Sequence, residues 1–141
     1  NMLYLWVFGD NIENAMGRVK FVAFYLLCGL AAAFAQIATD PASTIPMIGA
    51  SGAISGVLGA YLRLYPTARV HVLVPNFGVT AMPAMAVLGL WFGIQFLQGL
   101  MADSSQGGVA FWAHIGGFVA GFLLVHFFRT HETPPGIITR K

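Results

Sequence analysis

Apolar residues run along this chain in long blocks, separated by short polar stretches that hold most of the charge. Five blocks stand out, at about residues 1–16, 19–38, 49–65, 79–101 and 110–129. A helix crossing the hydrocarbon of a bilayer needs about 20 mostly apolar residues, so four of these fit or nearly fit a span, and the first reads as a helix opened part-way along its length. The block at 49–65 is short for a crossing and rich in Gly, Ala and Ser, which predicts that its outer end starts below the membrane surface. The expected fold is therefore all-α: a polytopic membrane helix bundle of about five helices over residues 1–129, followed by a polar cytoplasmic tail over 130–141.

The connections read as residues 10–18, 39–48, 67–78 and 102–109. Pro41, Pro46, Pro66, Pro75, Pro134 and Pro135 fall at or beyond helix ends, as expected of a residue that lacks an N–H and breaks the helical ladder. Pro83 is expected in the first turn of the 79–101 helix, where proline is tolerated. The opening Asn1-Met2-Leu3-Tyr4 carries neither a basic leader nor a cleavage site and does not read as a signal peptide. It is expected to be a helix with further sequence upstream.

Composition agrees with a membrane solvent: 57% of the 141 residues are hydrophobic and 9% charged, against roughly 25% charged in soluble domains. The net charge of +2 forms no basic patch, so nucleic acid is not an expected partner. The seven cations also orient the bundle. If loops alternate sides, Arg18, Lys20, Arg63, Arg69, Arg129, Arg140 and Lys141 all fall on one side, the pattern of cytoplasmic loops. The opposite loops carry only Asp40 and Asp103 as charges.

With that topology, the helices opening at Asn1, near Gly49 and near Ala110 all run inward from the outer surface. Three polar residues far apart in sequence, Asn1, Ser51 and His114, then fall in one layer. A nucleophile and its base need such convergence, because the base must come within hydrogen-bond reach of the hydroxyl. Small residues at i and i+4 let membrane helices approach closely. Ser51, Ser55 and Gly59 form such a ridge with Gly52 and Gly56 beside it, and Ala113, Gly117 and Gly121 form another that shares a face with His114.

These residues resemble a known family. Gly49-Ala50-Ser51-Gly52 is similar to the GxSG nucleophile motif of rhomboid proteases, and Ala113-His114-Ile115-Gly116-Gly117 followed by Gly121 resembles the rhomboid final helix with its base histidine. Asn1 is similar to the asparagine that ends the family's HxxxN motif, and Phe8-Gly9-Asp10-Asn11-Ile12-Glu13 resembles the run that follows it. The resemblance extends over nearly the whole chain and implies an intramembrane serine endopeptidase that cuts transmembrane protein substrates near their outer ends. It implies Ser51 and His114 as a catalytic dyad with no acidic third member, and an oxyanion held by the Ser51 N–H and the Asn1 amide. Three departures stand beside it. The HxxxN histidine would precede residue 1, the first core helix is missing, and Ser55 stands where several rhomboids carry a tyrosine stacked on the base, so imidazole orientation must come from elsewhere.

Two other readings compete with it. One is a rhomboid-like pseudoprotease that binds transmembrane clients without cleaving them; the other is a proton-coupled pathway through His114, which the lack of carboxylates in the later helices disfavours. The remaining histidines read as bystanders, with His71 on an inner loop, His126 at the inner end of the last helix and His131 in the tail. The single cysteine, Cys28, precludes an internal disulfide, and no histidine pair has metal-ligand spacing, so neither metal nor cofactor is expected. Trp6, Trp91 and Trp112 suit interfacial anchoring or packing, with Trp112 also placed to line a substrate entrance, and Asp103–Gly108 reads as a movable cap or an ordinary connector. The bilayer itself is the remaining partner, the plasma membrane the favoured location and an organelle membrane the other. The oligomeric state has no signature in the sequence.

Overall fold

Segment lengths and breakers decide the elements of the computed structural model, which describes residues 1–39, 41–101 and 109–130. Helix α1 (Met2–Met16) stops at Gly17, whose φ of 84° is left-handed backbone that suits glycine. Helix α2 (Arg18–Thr39) starts one residue later, and the Glu13–Arg18 ion pair at 3.2 Å spans the break on an exposed surface. Such a pair contributes little. Helix α3 (Ser51–Leu64) is central: every residue from Gly52 to Tyr61 is buried. Helix α4 (Ala84–Met101) and helix α5 (Phe111–Phe128) complete the bundle. Three of the helices, α2, α4 and α5, are long and apolar enough to cross a membrane. Their outward faces carry Leu26, Leu30, Phe34, Leu90, Leu97 and Phe127, all exposed, as suits a surface bathed by lipid.

One expectation is corrected. Residues 79–83 are not helix; an antiparallel hairpin of β1 (Arg69–Val74) and β2 (Gly78–Pro83) lies between α3 and α4. Val70, Val72 and Val74 point to the more buried side and Arg69, His71 and Leu73 to the open one, the alternation of a half-buried strand. Pro75 and Asn76 make the turn, Asn76 at φ 67°, closed by the Phe77 N–H donating to the Val74 carbonyl at 3.1 Å. Pro83 therefore ends the strand, and α4 begins after it. The first α4 amides find partners outside the helix, Ala84 N–H on the Ala68 carbonyl at 2.8 Å and Met85 N–H on the Pro66 carbonyl at 2.9 Å.

Contacts between helix ends fix the directions. At one end the Thr130 N–H donates to the Ala15 carbonyl at 3.0 Å and the Tyr65 hydroxyl faces the Asn11 carbonyl, joining the C-terminal ends of α1, α3 and α5. Phe24 near the start of α2 packs on Phe128 there. At the other end Gln36, late in α2, accepts from the Ala113 N–H at the start of α5. So α1, α3 and α5 run one way and α2 the other. Gly99 of α4 faces Phe111 and Trp112, which makes α4 antiparallel to α5.

The α3–α5 crossing is set by backbone contact. A Cβ on Gly117 would collide with the Gly52 carbonyl oxygen, one on Gly121 with that of Gly56, and one on Gly59 with that of Phe118. On α3's other side, Gly52 lies against Ala32 and Gly56 against Cys28, both on α2. Around these close approaches Phe8, Ile12, Phe24, Leu58, Tyr61 and Val125 fill the core. The domain boundary expected at 129–130 falls where description ends, and the tail beyond residue 130 lies outside the described residues, as do Asp40 and the 102–108 connection.

Candidate active site

Gly49 turns the chain into α3 with φ 118°, a conformation that L side chains rarely adopt. Ser51 follows as the first helical residue. The first bond from the Ala50 carbonyl goes to the Ile54 N–H at 3.0 Å, so the earlier amides of this helix have no intrahelical acceptor. His114 stands one turn into α5, its own N–H donating to the Ala110 carbonyl. Because α3 and α5 run in parallel and touch backbone to backbone, both side chains project into the same layer, and His114 Nε2 lies 2.8 Å from Ser51 Oγ.

Asn1 reaches this layer from α1. A point one bond length above Gly49 Cα is 3.9 Å from Ser51 Oγ and 4.0 Å from Asn1 Nδ2, so the amide and the hydroxyl flank one spot. The Asn1 side chain makes no capping bond to α1, which leaves its amide turned elsewhere. A cavity of about 1030 Å³ opens beside the serine, bounded by Gln36, Ile45, Met47, Trp112 and His114.

The imidazole is gripped on its far side by residues that the sequence reading did not single out for this. His114 Nδ1 lies 2.5 Å from Gln95 Oε1, and Gln95 Nε2 donates to Gln98 Oε1 at 3.2 Å. Trp91, one turn before Gln95 on α4, covers the ring with centroids 6.0 Å apart and planes inclined at 34°, and packs equally on Phe118. Orientation thus comes from α4, in place of a tyrosine on α3. Ser55, at that α3 position, is 1% exposed and donates to the Ser51 carbonyl at 2.7 Å. A signal existed for Gln95: amides in apolar spans are uncommon and serve as interhelical hydrogen-bonding groups.

Other candidates lie elsewhere. His71 is exposed on β1, His126 is exposed near the opposite end of α5, and His131 and the Asp103–Gly108 cap lie outside the described residues. Trp6 is 63% exposed, whereas Trp112 lines the cavity and meets Phe96 edge-to-face. Cys28 is buried against Gly56, away from the hydroxyl–imidazole pair.

A bundle of apolar helices holding a hydroxyl–imidazole pair at one end of two parallel members defines a multi-pass membrane protein with an internal polar site. The Rhomboid domain profile matches residues 1–131, and the chain belongs to the rhomboid family. Among similar proteins, presenilin-associated rhomboid-like protein, mitochondrial, of Mus musculus is 31% identical over 136 residues, covering 90% of this chain and 33% of its own length. RHOMBOID-like protein 5 of Arabidopsis thaliana is 32% identical over 124 residues, 88% of this chain and 37% of its own. Rhomboid protease GluP of Bacillus subtilis is 32% identical over 122 residues, 86% of this chain and 21% of its own. The chain thus spans about a third of the length of the mammalian relatives it matches. No solved structure matches it.

Proposed function

We propose that this chain carries the catalytic site of an intramembrane serine endopeptidase, with Ser51 as nucleophile and His114 as base. The observation that supports it most is the 2.8 Å contact between Ser51 Oγ and His114 Nε2, both of which line a cavity in an otherwise apolar bundle. In the reaction, Ser51 Oγ adds to the scissile carbonyl carbon as its proton passes to Nε2. The carbonyl π electrons move onto oxygen. The resulting oxyanion sits near the N-terminus of α3, where the Ser51 N–H lacks an intrahelical acceptor, and beside Asn1 Nδ2. Collapse breaks the C–N bond as Nε2 returns the proton to the leaving nitrogen; water then adds to the acyl ester as His114 Nε2 takes its proton, and the C–O bond to Ser51 breaks as Nε2 hands that proton to Oγ.

The substrate class follows from the surroundings. A peptide bond reaches a serine among membrane helices most directly when it belongs to a transmembrane segment, unwound near its end so that the carbonyl is free. The Bacillus relative is named a rhomboid protease, which favours cleavage over binding without cutting. The mammalian relatives are named as mitochondrial, so the plasma membrane expected from sequence gains no support from them, and the location proposed is a multi-pass membrane protein in a bilayer not further specified.

The deciding experiment reacts the full chain in lipid nanodiscs with a fluorophosphonate probe. The expected result is a single adduct on Ser51, absent in Ser51→Ala and strongly slowed in His114→Ala. Labelling that survives Ser51→Ala removes the nucleophile assignment, and an unreactive wild-type protein that still retains transmembrane clients supports the pseudoprotease reading instead.

A further inference from the structure

We propose that Gln95 is a positioning residue that holds neutral His114 with its proton on Nδ1, leaving the Nε2 lone pair directed at Ser51. The inference deepens the hydrolytic reading and rests on it for its kinetic consequence, though not for its structural one. Two hydrogen bonds carry it. Gln95 Oε1 faces Nδ1 at 2.5 Å, and a carbonyl oxygen only accepts, so the ring nitrogen opposite it must carry the proton. The amide is kept from turning over by its own nitrogen, which donates to Gln98 Oε1 three residues on along the same helix face. With Gln98 as it stands, reversing the Gln95 amide would lose this donation and set two carbonyl oxygens against each other.

The ring has two freedoms to lose, its plane and its rotation within that plane. Trp91 bounds the plane from one side. The bonds at Nδ1 and Nε2, to Gln95 and Ser51, fix the rotation. Two of these three contacts, Trp91 and Gln95, come from α4, one turn apart, and the third from Ser51 on α3. A carboxylate in the place of Gln95 would also hold the tautomer, but within a membrane helix it would be a costly ion. Among the described residues the only carboxylates, Asp10 and Glu13, both belong to α1. An amide gives tautomer control without charge, and it makes a competent base depend on α4 being docked against α5.

The test uses the full chain in lipid nanodiscs, with ¹⁵N-histidine NMR at a pH where imidazole is neutral and His114→Ala to assign the signal. The expected wild-type spectrum has Nδ1 protonated and Nε2 bare; Gln95→Met shifts the ring toward the other tautomer, and Gln95→Glu, which keeps an acceptor, restores it. In the kinetic arm, Gln95→Met slows Ser51 reaction with the fluorophosphonate and lowers kcat by about tenfold with KM unchanged, as loss of one hydrogen bond implies. Gln95→Glu recovers most of it, and Gln98→Leu, which frees the amide to turn, gives a smaller loss of the same kind. A wild-type ring protonated on Nε2, or a Gln95→Met protein with unchanged tautomer and labelling rate, overturns the proposal. A Gln95-dependent tautomer in a protein whose Ser51 never reacts sinks the protease reading alone.

Discussion

The residue that tests the oxyanion geometry most directly is Asn1. Its amide nitrogen and the Ser51 hydroxyl flank the space above Gly49, and the side chain is not spent on capping α1. If that amide donates to the developing oxyanion, its removal costs the transition state and not the ground state. Asn1→Ala is therefore expected to lower kcat by about a hundredfold or more, the usual effect of losing one such donor, with KM little changed. A cleavage assay with a transmembrane substrate checks it, and a change of less than threefold would show that the oxyanion is held without Asn1. Of this site, the residues at helix starts were legible in the sequence, because parallel helices bring like positions to like depth. Gln95 was marked only as an amide in an apolar span, and neither its partner nor the role of Trp91 could be read, for a physical reason: both lie mid-helix in α4, where apolar periodicity hardly distinguishes the face toward a histidine from the face toward lipid.

Among elements, the α3–α5 pair is where small residues matter most, and the structure separates glycines that are required from those that are incidental. A Cβ on Gly121 has no room against the Gly56 carbonyl, whereas Gly93 on α4 has nothing within 4 Å. Gly121→Ala must push two backbones apart and is expected to cost about 1–3 kcal/mol, visible as a lowered thermal midpoint in detergent. It should also slow Ser51 labelling, because the same separation draws His114 from the hydroxyl. Gly93→Ala should leave both unchanged or raise stability slightly, by up to about 1 kcal/mol from helix propensity. Equal effects of the two substitutions would mean that the crossing is not the tight contact described. The α3 ridge could be read from glycine spacing alone, but the β1–β2 hairpin could not be told from the helix after it. Val79, Ala81 and Met82 are apolar enough to extend the 84–101 run, and only the period-two alternation of Arg69–Val74 and the Pro75-Asn76 turn mark strands.

For the whole molecule, the decisive quantity is depth. Helix α3, with 14 residues, is about 21 Å long at 1.5 Å per residue, against a hydrocarbon core of about 30 Å. Ser51 therefore lies beneath the membrane surface if the far end of α3, at Leu64, sits near the opposite face with Arg63 and Arg69. The arginines fix which face that is: Arg18, Arg69 and Arg129 all lie at the end where α1, α3 and α5 terminate, whereas the 41–50 segment lies at the other, beside Ser51. Cations are retained on the cytoplasmic side, so the site should open away from it. Single-cysteine labelling in sealed vesicles tests this without reference to activity. The native Cys28 is buried and should not react with a membrane-impermeant maleimide, so it adds little background. Arg69→Cys and Lys20→Cys are expected to label from the cytoplasmic side only, and Ser43→Cys from the opposite side only. If Ser43→Cys and Arg69→Cys label from the same side, α3 does not cross, and a serine approached from beneath the outer surface is no longer tenable however close its hydroxyl lies to His114.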